Sequence, residues 1–390
     1  MNRLITLTMS LLLLCGVSAN SQIDSIAAAA EVSLLTCKSG DELYSTFGHT
    51  ALRVRNPINQ SDIVFNYGVF DFDTPYFYFK FVRGQLPYKL AATTMERFLL
   101  NYNYEQRSVI EQKLSLTPKQ KAALLTALAE NIKPENAEYK YDFFFDNCTT
   151  RTEDVIRSIT GAIEYPTPLQ KITFRQMLKE NLQSQPWSEF GIDLIIGAVA
   201  DRTTNRSEQH FLPLYLREDM KTATIVTNKA RTNLTSTDYL VLDFDLEDEQ
   251  RRQPATNWPL IIAAVLLAVE LLLWFVKPSA SLISIYDKVW YVLMSILAVV
   301  MAFMWWGTDH LATKTNYNLL WANLLFIPYL LVKNKIIQRL LTICLIAGSA
   351  VAFVNALYQF LPQYFLLSFG ILAMISIIKL GRNQWQQGFV

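Results

Sequence analysis

Cys148 and His49 are the two residues whose types could together perform nucleophilic chemistry. Cys148 lies in YDFFFDNCTTRTEDVIRSI (141–159), where an aromatic-rich segment gives way to a predicted helix. The free N–H groups and the positive dipole end of a helix start favour a thiolate and can stabilise an oxyanion. His49 lies in STFGHTALRV (45–54) and is one of three histidines in the chain. Since a neighbouring imidazole is the usual base for a thiol nucleophile, this pair could attack a carbonyl carbon.

Cys148 also has a structural interpretation, because another cysteine, Cys37, ends the first predicted strand. Cysteines of an exported domain are commonly paired, since the compartment is oxidising. A cysteine can also fill an apolar core position as a small hydrophobic side chain. On the residues alone, a catalytic thiol, a Cys37–Cys148 disulfide and a packing role all remain open.

The elements that must position this pair predict a mixed α+β domain. Residues 117–132 predict a helix, because Thr117 suits the N-cap and Pro118 the first helical position. A second helix is predicted from Thr149 to Ile159, directly after Cys148. Short strands are predicted over 31–37, 49–54, 62–70 and 107–116. His49 would therefore begin a strand, and Cys148 would stand at a helix start.

Both ends of the chain predict an exported protein that is anchored in a membrane. Residues 1–19 combine a basic residue, a short apolar core and small residues before the cleavage point, which is typical of a signal peptide. Five later apolar runs approach the ~20 residues that span a bilayer; they are 258–276, 288–306, 319–332, 340–358 and 363–380. The predicted domains are a periplasmic domain over 20–250, a linker over 251–257, a five-helix transmembrane domain over 258–380 and a cytoplasmic tail over 381–390.

Basic residues in the predicted loops indicate the orientation of these helices. If the first helix enters from outside, the inner loops and tail hold Lys277, Lys288, Lys333, Lys335, Arg339, Lys379 and Arg382. The outer loops hold Lys314 and few other basic residues. The positive-inside rule therefore predicts a multi-pass membrane protein whose N-terminal domain lies on the outer side and whose C-terminus lies in the cytoplasm. The net charge of +1 gives no argument for nucleic-acid binding.

Four segments resemble the Bacteroides-type lipoprotein N-acyltransferase (Lnb) family. They are LLTCKSGDELYSTFGHTALRV (34–54), VFNYGVFDFDTPYFYFKFVRGQLPYKL (64–90), YKYDFFFDNCTTR (139–151) and TDHLATKTNYNLLWANLLF (308–326). The exported domain of that family is similar to the NlpC/P60 and lecithin–retinol acyltransferase (LRAT-like) group, which includes circularly permuted papain-like folds. The resemblance implies this fold, with Cys148 as nucleophile and His49 as base, in the permuted order of histidine strand before cysteine helix. It also makes Asn66, on the strand after the histidine, the candidate that orients the imidazole, with a surface or turn amide as the alternative.

Four more residues are predicted to bind substrate. Asn147 and Tyr141 flank the nucleophile and could donate to an oxyanion or shape its pocket, with core packing as the alternative for Tyr141. Asp309 and His310 lie in TDHLATKTNYN (308–318), the longest predicted outer loop. We expect these two residues to position a lipid head group or the acceptor, and polar capping of helix ends is the alternative.

Substrates that both lie in the bilayer would explain why a thiol domain is joined to membrane helices. The resemblance implies that an acyl chain passes from a membrane phospholipid, through a Cys148 thioester, to the α-amino group of a diacylglyceryl-cysteine lipoprotein. Two alternatives remain, namely a periplasmic membrane-anchored cysteine hydrolase (phospholipase or NlpC/P60-type peptidase) and a non-catalytic binding module. No metal site or cofactor is predicted, because no cluster of histidine, cysteine and carboxylate residues has ligand spacing.

Overall fold

The computed structural model describes residues 27–227, 230–276 and 279–386, so the predicted signal peptide over 1–19 lies outside the described residues. The chain divides into two compact units. Of the described residues, those up to Pro75, Leu86–Gln170 and Asn205–Arg251 form the sheet unit. Tyr76–Gln85, Lys171–Thr204 and the described residues from Arg252 onward form the helical unit. Two segments of the predicted periplasmic domain therefore group with the C-terminal helices.

An antiparallel sheet organises the sheet unit. The strands are β1 (Glu31–Cys37), β2 (His49–Asn56), β3 (Ser61–Val69), β4 (Pro87–Thr94), β5 (Val109–Lys113), β6 (Glu138–Lys140), β7 (Ile163–Glu164), β8 (Thr224–Thr227), β9 (Ala230–Asn233) and β10 (Tyr239–Leu242). Seven of them pair in the order β10-β5-β1-β2-β3-β4-β6, and a small second sheet has the order β7-β8-β9. The four predicted strands are confirmed as β1, β2, β3 and β5.

The helices of both units follow in chain order. They are α1 (Phe77–Arg83), α2 (Met95–Tyr104), α3 (Pro118–Asn131), α4 (Pro134–Ala137), α5 (Cys148–Thr160), α6 (Phe174–Leu182), α7 (Pro186–Ile195), α8 (Arg206–Gln209), α9 (Pro213–Met220), α10 (Asp245–Arg252), α11 (Trp258–Val276), α12 (Ala280–Trp306), α13 (Phe326–Leu331), α14 (Lys335–Tyr358) and α15 (Leu367–Gln386). The predicted helices at 117–132 and after Asn147 are confirmed as α3 and α5. Helix α10 extends into the predicted linker.

The core of the sheet unit lies on both faces of β1, an interior strand of the seven-stranded sheet. Val32 and Leu34 pack with apolar residues of α3, α5 and α9, whereas Leu35 and Cys37 pack with residues of α2 and the opposite face of the sheet. This distribution follows from the alternation of side chains along a strand. Because both faces are covered, β1 is apolar along most of its length. The mixed sheet-and-helix architecture is confirmed, and the finer permuted papain-like assignment stays a prediction.

The helical unit contains helices that are long and apolar enough to cross a membrane. Among the described residues three satisfy this by length and composition, namely α11, α12 and α14. Their packed interior is aromatic-rich, with Tyr291, Trp321, Phe326 and Phe369 buried in one cluster. Helix α15 is of similar length but includes polar and basic positions along its second half.

The predicted spanning helix over 319–332 is wrong, because this segment is not one continuous helix. A 3-10 turn, Tyr317–Leu320, is followed by the six-residue helix α13. Asparagine side chains interrupt the backbone pattern, since the amide oxygen of Asn316 accepts from the Asn318 N–H and that of Asn323 accepts from the Leu325 N–H. Such local hydrogen bonds compete with helix continuation.

Four charged side chains form a buried cluster between α11, α12 and α15, which we call the charge quartet. The Lys379 ammonium lies 2.7 Å from a carboxylate oxygen of Glu270 and 3.0 Å from one of Asp287. The Arg382 guanidinium lies 2.5 Å from Glu270 and 2.6 Å from Asp287. Two acids and two bases make the cluster neutral, which offsets the cost of removing charges from water.

The charge quartet corrects two predicted boundaries. Helix α12 begins at Ala280 rather than at 288, because Asp287 is neutralised inside the helix packing. Helix α15 continues to Gln386, so residues 381–386 are helical rather than part of a free tail. Lys379 and Arg382 are buried ion-pair partners, so they do not count among the exposed basic residues to which the positive-inside rule applies.

Candidate active site

Cys148 is the first residue of helix α5, and a set of local hydrogen bonds fixes this helix start. The Asn147 side-chain oxygen accepts from the N–H groups of Thr149 and Thr150, and the Thr150 hydroxyl accepts from the Asn147 N–H. Such a reciprocal capping arrangement satisfies N–H groups that would otherwise lack partners. Upstream, the Asp142 carboxylate accepts from two backbone N–H groups and closes the turn that leads into the helix. The sulfur is therefore held at a defined helix N-terminus.

His49 begins β2, and its imidazole lies within hydrogen-bonding reach of the Cys148 thiol. The Nε2 atom of the ring is 3.2 Å from the side-chain oxygen of Asn66 on β3. Because Asn66 engages Nε2, the second ring nitrogen, Nδ1, is the one left for the sulfur. The structure thus brings the predicted residues Cys148, His49 and Asn66 together in the sheet unit.

The electrostatics of the pair favour a thiolate beside an imidazolium. Burial would raise the pKa of the Cys148 thiol, but the charge and hydrogen bond of His49, with the Thr50 N–H and the Thr149 hydroxyl, lower it to about 7. Burial would lower the pKa of His49, but the Cys148 thiolate and the hydrogen bonds to Cys148 and Asn66 raise it. Both shifts have the same cause, because each charged group stabilises the other.

Cys37 and Cys148 are both free thiols, so the disulfide alternative is not realised in this structure. Cys37 lies on β1 directly opposite His49 in the strand register, yet it is fully buried. Burial raises the pKa of Cys37 to about 12. A thiol with such a pKa stays protonated at neutral pH and is a poor nucleophile. The two cysteines near the imidazole are therefore chemically unequal.

Asn147 and Tyr141 both lie beside Cys148, but the structure gives them different surroundings. The Asn147 amide nitrogen donates to the backbone oxygens of Phe143 and Phe211, both at 2.9 Å, while its oxygen caps α5. Its side chain is therefore occupied by the fold rather than directed to an oxyanion. The Tyr141 ring stacks on Tyr88 with 4.3 Å between centroids, and burial raises the pKa of its hydroxyl. Tyr141 is thus a neutral, partly buried wall next to the sulfur.

The structure places Asp309 and His310 in the helical unit, where both contact the end of helix α1. The His310 Nε2 lies 3.2 Å from the Phe81 carbonyl oxygen and 3.1 Å from that of Val82. The backbone N–H of Asp309 donates to the Arg83 carbonyl oxygen at 2.9 Å. These contacts match the alternative of polar helix capping, and a role in binding a lipid head group stays a prediction.

Gly68 and Thr149 lie beside Cys148 and were not predicted to be part of the site. Gly68 lies at an irregularity of β3 with a φ of +85°, and a Cβ there would sit 3.5 Å from the Cys148 Cβ. A glycine within a strand is a recognised signal of close backbone approach, so VFNYG contained this information. The Thr149 hydroxyl is 3.7 Å from the Cys148 sulfur and 3.1 Å from the Thr50 hydroxyl. Nothing in the spacing of NCTT distinguishes this contact from ordinary helix packing.

His210, which has no predicted role, connects the helix that begins at Cys148 to a neighbouring helix. Its Nδ1 lies 2.9 Å from a carboxylate oxygen of Glu153 on α5, and its Nε2 lies 2.9 Å from one of Asp219 on α9. Burial would lower the pKa of His210, but the hydrogen bonds to Asp219 and Glu153 raise it. Burial would raise the pKa of Asp219, but His210, Thr167 and Arg206 lower it to about 2. A fully buried imidazole held between two carboxylates thus joins α5 to α9.

Groups of three or more histidine, cysteine or acidic residues that could hold a metal ion are absent from the described residues.

Two family models match the chain. One, described as the Lnb N-terminal periplasmic domain, matches residues 20–180, and the other, described as the Lnb transmembrane domain, matches residues 249–388. Together they cover most of the chain and include all the predicted site residues. Searches of curated proteins and of solved structures each found no match.

Proposed function

Because the chain belongs to the Lnb family and combines a periplasmic domain with a membrane domain, we propose that it is a lipoprotein N-acyltransferase with Cys148 as its nucleophile. The observation that carries this proposal is the contact of Cys148, His49 and Asn66 at the start of α5. A cysteine whose pKa is lowered to about 7 is ionised enough at neutral pH to attack an ester.

The first half-reaction transfers the acyl chain from a membrane phospholipid to the enzyme. The Cys148 thiolate attacks the ester carbonyl carbon, a C–S bond forms, and the ester C–O bond breaks. The protonated His49 gives its proton to the departing lysophospholipid oxygen. Asn66 keeps the ring oriented by accepting from Nε2, so that Nδ1 faces the reacting atoms. The product is a thioester on Cys148.

The second half-reaction transfers the chain to a diacylated lipoprotein. The α-amino group of its diacylglyceryl-cysteine attacks the thioester carbonyl carbon, a C–N bond forms, and the C–S bond breaks. Neutral His49 accepts the proton of the amine and returns to its starting state beside the thiolate. The Asn147 cap does not engage the N–H of Cys148, so this N–H is our candidate donor to the oxyanion in both steps.

We also propose that the protein is a multi-pass protein of the inner membrane with its catalytic domain in the periplasm. Support comes from the segment before and at the start of α14, where Lys333, Lys335 and Arg339 are exposed and remain candidates for the cytoplasmic side. Three candidate spans among the described helices agree with an integral membrane protein.

The test is a product analysis with purified full-length protein in vesicles that contain phospholipid and a diacylated lipopeptide. We expect an N-acylated lipopeptide by mass spectrometry, and an acyl adduct on Cys148 when the lipopeptide is left out. Cys148→Ser should abolish both products, whereas Cys344→Ser, which alters an exposed cysteine on α14, should leave both unchanged.

Two other outcomes would overturn the assignment. Free fatty acid without N-acylated product would make the protein a thiol hydrolase. A Cys148 that neither forms an adduct nor reacts with an alkylating reagent would indicate a binding module without thiol catalysis.

A further inference from the structure

Helix α1 exposes an unusual amount of apolar surface for its length. Its sequence, FYFKFVR, has no buried residue and no acidic residue. Tyr78 is 79% exposed and Phe79 is 59% exposed, and Phe81 and Val82 are exposed as well. A contiguous exposed apolar surface of this kind marks a site that contacts another apolar phase. The exposed face of α1 is therefore a candidate contact surface for an apolar partner.

The C-terminal end of α1 is fastened to the segment that directly follows the long helix α12. The carbonyl oxygens of Phe81, Val82 and Arg83 belong to the last turn of α1, where helices lack internal partners. The His310 ring and the Asp309 N–H supply hydrogen-bond partners for them. These hydrogen bonds fix the end of α1 to the segment that follows α12.

Gly84 makes this attachment sterically feasible. It closes α1 with a φ of +67°, the left-handed conformation in which glycine is strongly favoured. A Cβ on Gly84 would lie 3.2 Å from two atoms of the His310 ring and 3.3 Å from the backbone nitrogen of His310. The glycine thus both ends the helix and leaves room for the imidazole that caps it.

The position of the attachment identifies the occupant. Helix α12 is a candidate membrane span, and its last two residues, Trp305 and Trp306, stack on each other. Tryptophans at the end of a span are typical of the membrane–water interface. His310 follows Trp306 by only four residues, so α1 is held close to that interface. Aromatic side chains combined with Lys80 and Arg83 on one short helix suit the boundary between acyl chains and phosphate groups.

We propose that α1 is an interfacial helix whose aromatic side chains insert among the phospholipids of the periplasmic leaflet, with Lys80 and Arg83 contacting lipid phosphates. The leaflet follows from the family match, because residues 20–180, which include α1, correspond to a periplasmic domain. This role goes beyond acyl transfer, since it concerns how a loop between β3 and β4 binds the bilayer surface and requires no reaction at Cys148.

The test is photocrosslinking in vesicles of phosphatidylethanolamine and phosphatidylglycerol with radiolabelled acyl chains. Benzoylphenylalanine replaces Tyr78 or Phe79, one at a time, in the full-length protein with Cys148→Ser. That background removes acyl transfer, so failure of the proposed enzyme function cannot affect the result. The matched controls place the same crosslinker at Tyr104 or Tyr239, two exposed tyrosines of the sheet unit that are 89% and 67% exposed.

We expect phospholipid adducts at positions 78 and 79 at a yield several-fold above that of both controls. Adduct yields at 78 and 79 that do not exceed those of the controls would overturn the proposal. Adducts to a second copy of the protein in place of lipid would overturn it too, because they would assign the surface to self-association.

Discussion

Replacing His49 by alanine should change the pH dependence of Cys148 reactivity in a calculable way. The His49 charge and hydrogen bond oppose the effect of burial on the Cys148 thiol. Without them, burial is the largest remaining influence, and we expect the pKa of Cys148 to return to about 9 or above, against about 7 in the natural protein. At pH 7 the ionised fraction would then fall from about one half to roughly 1%.

A thiolate of higher pKa is also a better nucleophile, which offsets part of this loss. With a Brønsted coefficient of about 0.4–0.5, a rise of about 2 in pKa increases the intrinsic rate roughly sixfold to tenfold. The net alkylation rate at pH 7 should therefore fall roughly fivefold to eightfold. Above pH ~10 the Cys148 thiol is ionised in both proteins, so the His49→Ala variant should be alkylated faster than the natural protein. The two rate profiles should cross.

The assay is iodoacetamide alkylation of the full-length protein between pH 5 and pH 10.5, followed at the Cys148 peptide by mass spectrometry. Cys37 is an internal reference, because its pKa of about 12 should keep it unreactive through most of this range. His310→Ala, which removes a histidine of the helical unit, should leave the Cys148 profile unchanged. A His49→Ala profile that keeps its midpoint near 7 would refute the assignment of His49 as the partner of the thiol.

Three further predictions concern groups around and away from the thiol. Asn66→Ala should lower kcat/KM for acyl transfer roughly tenfold to hundredfold, the worth of a hydrogen bond to a charged ring, with little change in Cys148 alkylation at high pH. His210→Gln should destabilise the protein by about 3 kcal/mol at pH 6. Because the pKa of His210 is raised, thermal unfolding curves should show this loss shrinking as pH increases through that raised pKa. Glu270→Gln should lower the unfolding temperature in detergent by leaving a buried positive charge, and adding Lys379→Met should restore much of the loss.

Much of the candidate site could be predicted because its signals are local. The N-cap of α5 and the glycine-to-strand transition before His49 lie within a few residues of the groups they position. The approach of Asn66 to His49 is not local, and it entered through family resemblance rather than through spacing. The link between His210 and α5 could not be predicted, because Glu153 and His210 are 57 residues apart and each is ordinary in its own segment.

In the membrane half the outcome was different, because hydropathy, its strongest sequence signal, misplaced several helix boundaries. Hydropathy treats each charge as a cost, so Asp287 and Lys379 marked helix ends, although in the structure they neutralise each other inside the bundle. Hydropathy also does not register short asparagine-capped turns, so it joined Tyr317–Leu320 and α13 into one span. Helix α1 was missed because an exposed aromatic helix of seven residues has no buried face to generate a periodic pattern.

The charge quartet has a consequence for how the protein is made. Asp287 precedes Arg382 by 95 residues, so on the ribosome two acids leave the exit tunnel well before either base exists. Until α15 arrives, α11 and α12 hold unneutralised carboxylates that resist transfer into lipid. The nascent membrane half is therefore incomplete as a stable body until its final helix docks. Premature termination anywhere before Lys379 should yield a fragment that is recognised and degraded rather than one that persists in a partly working form.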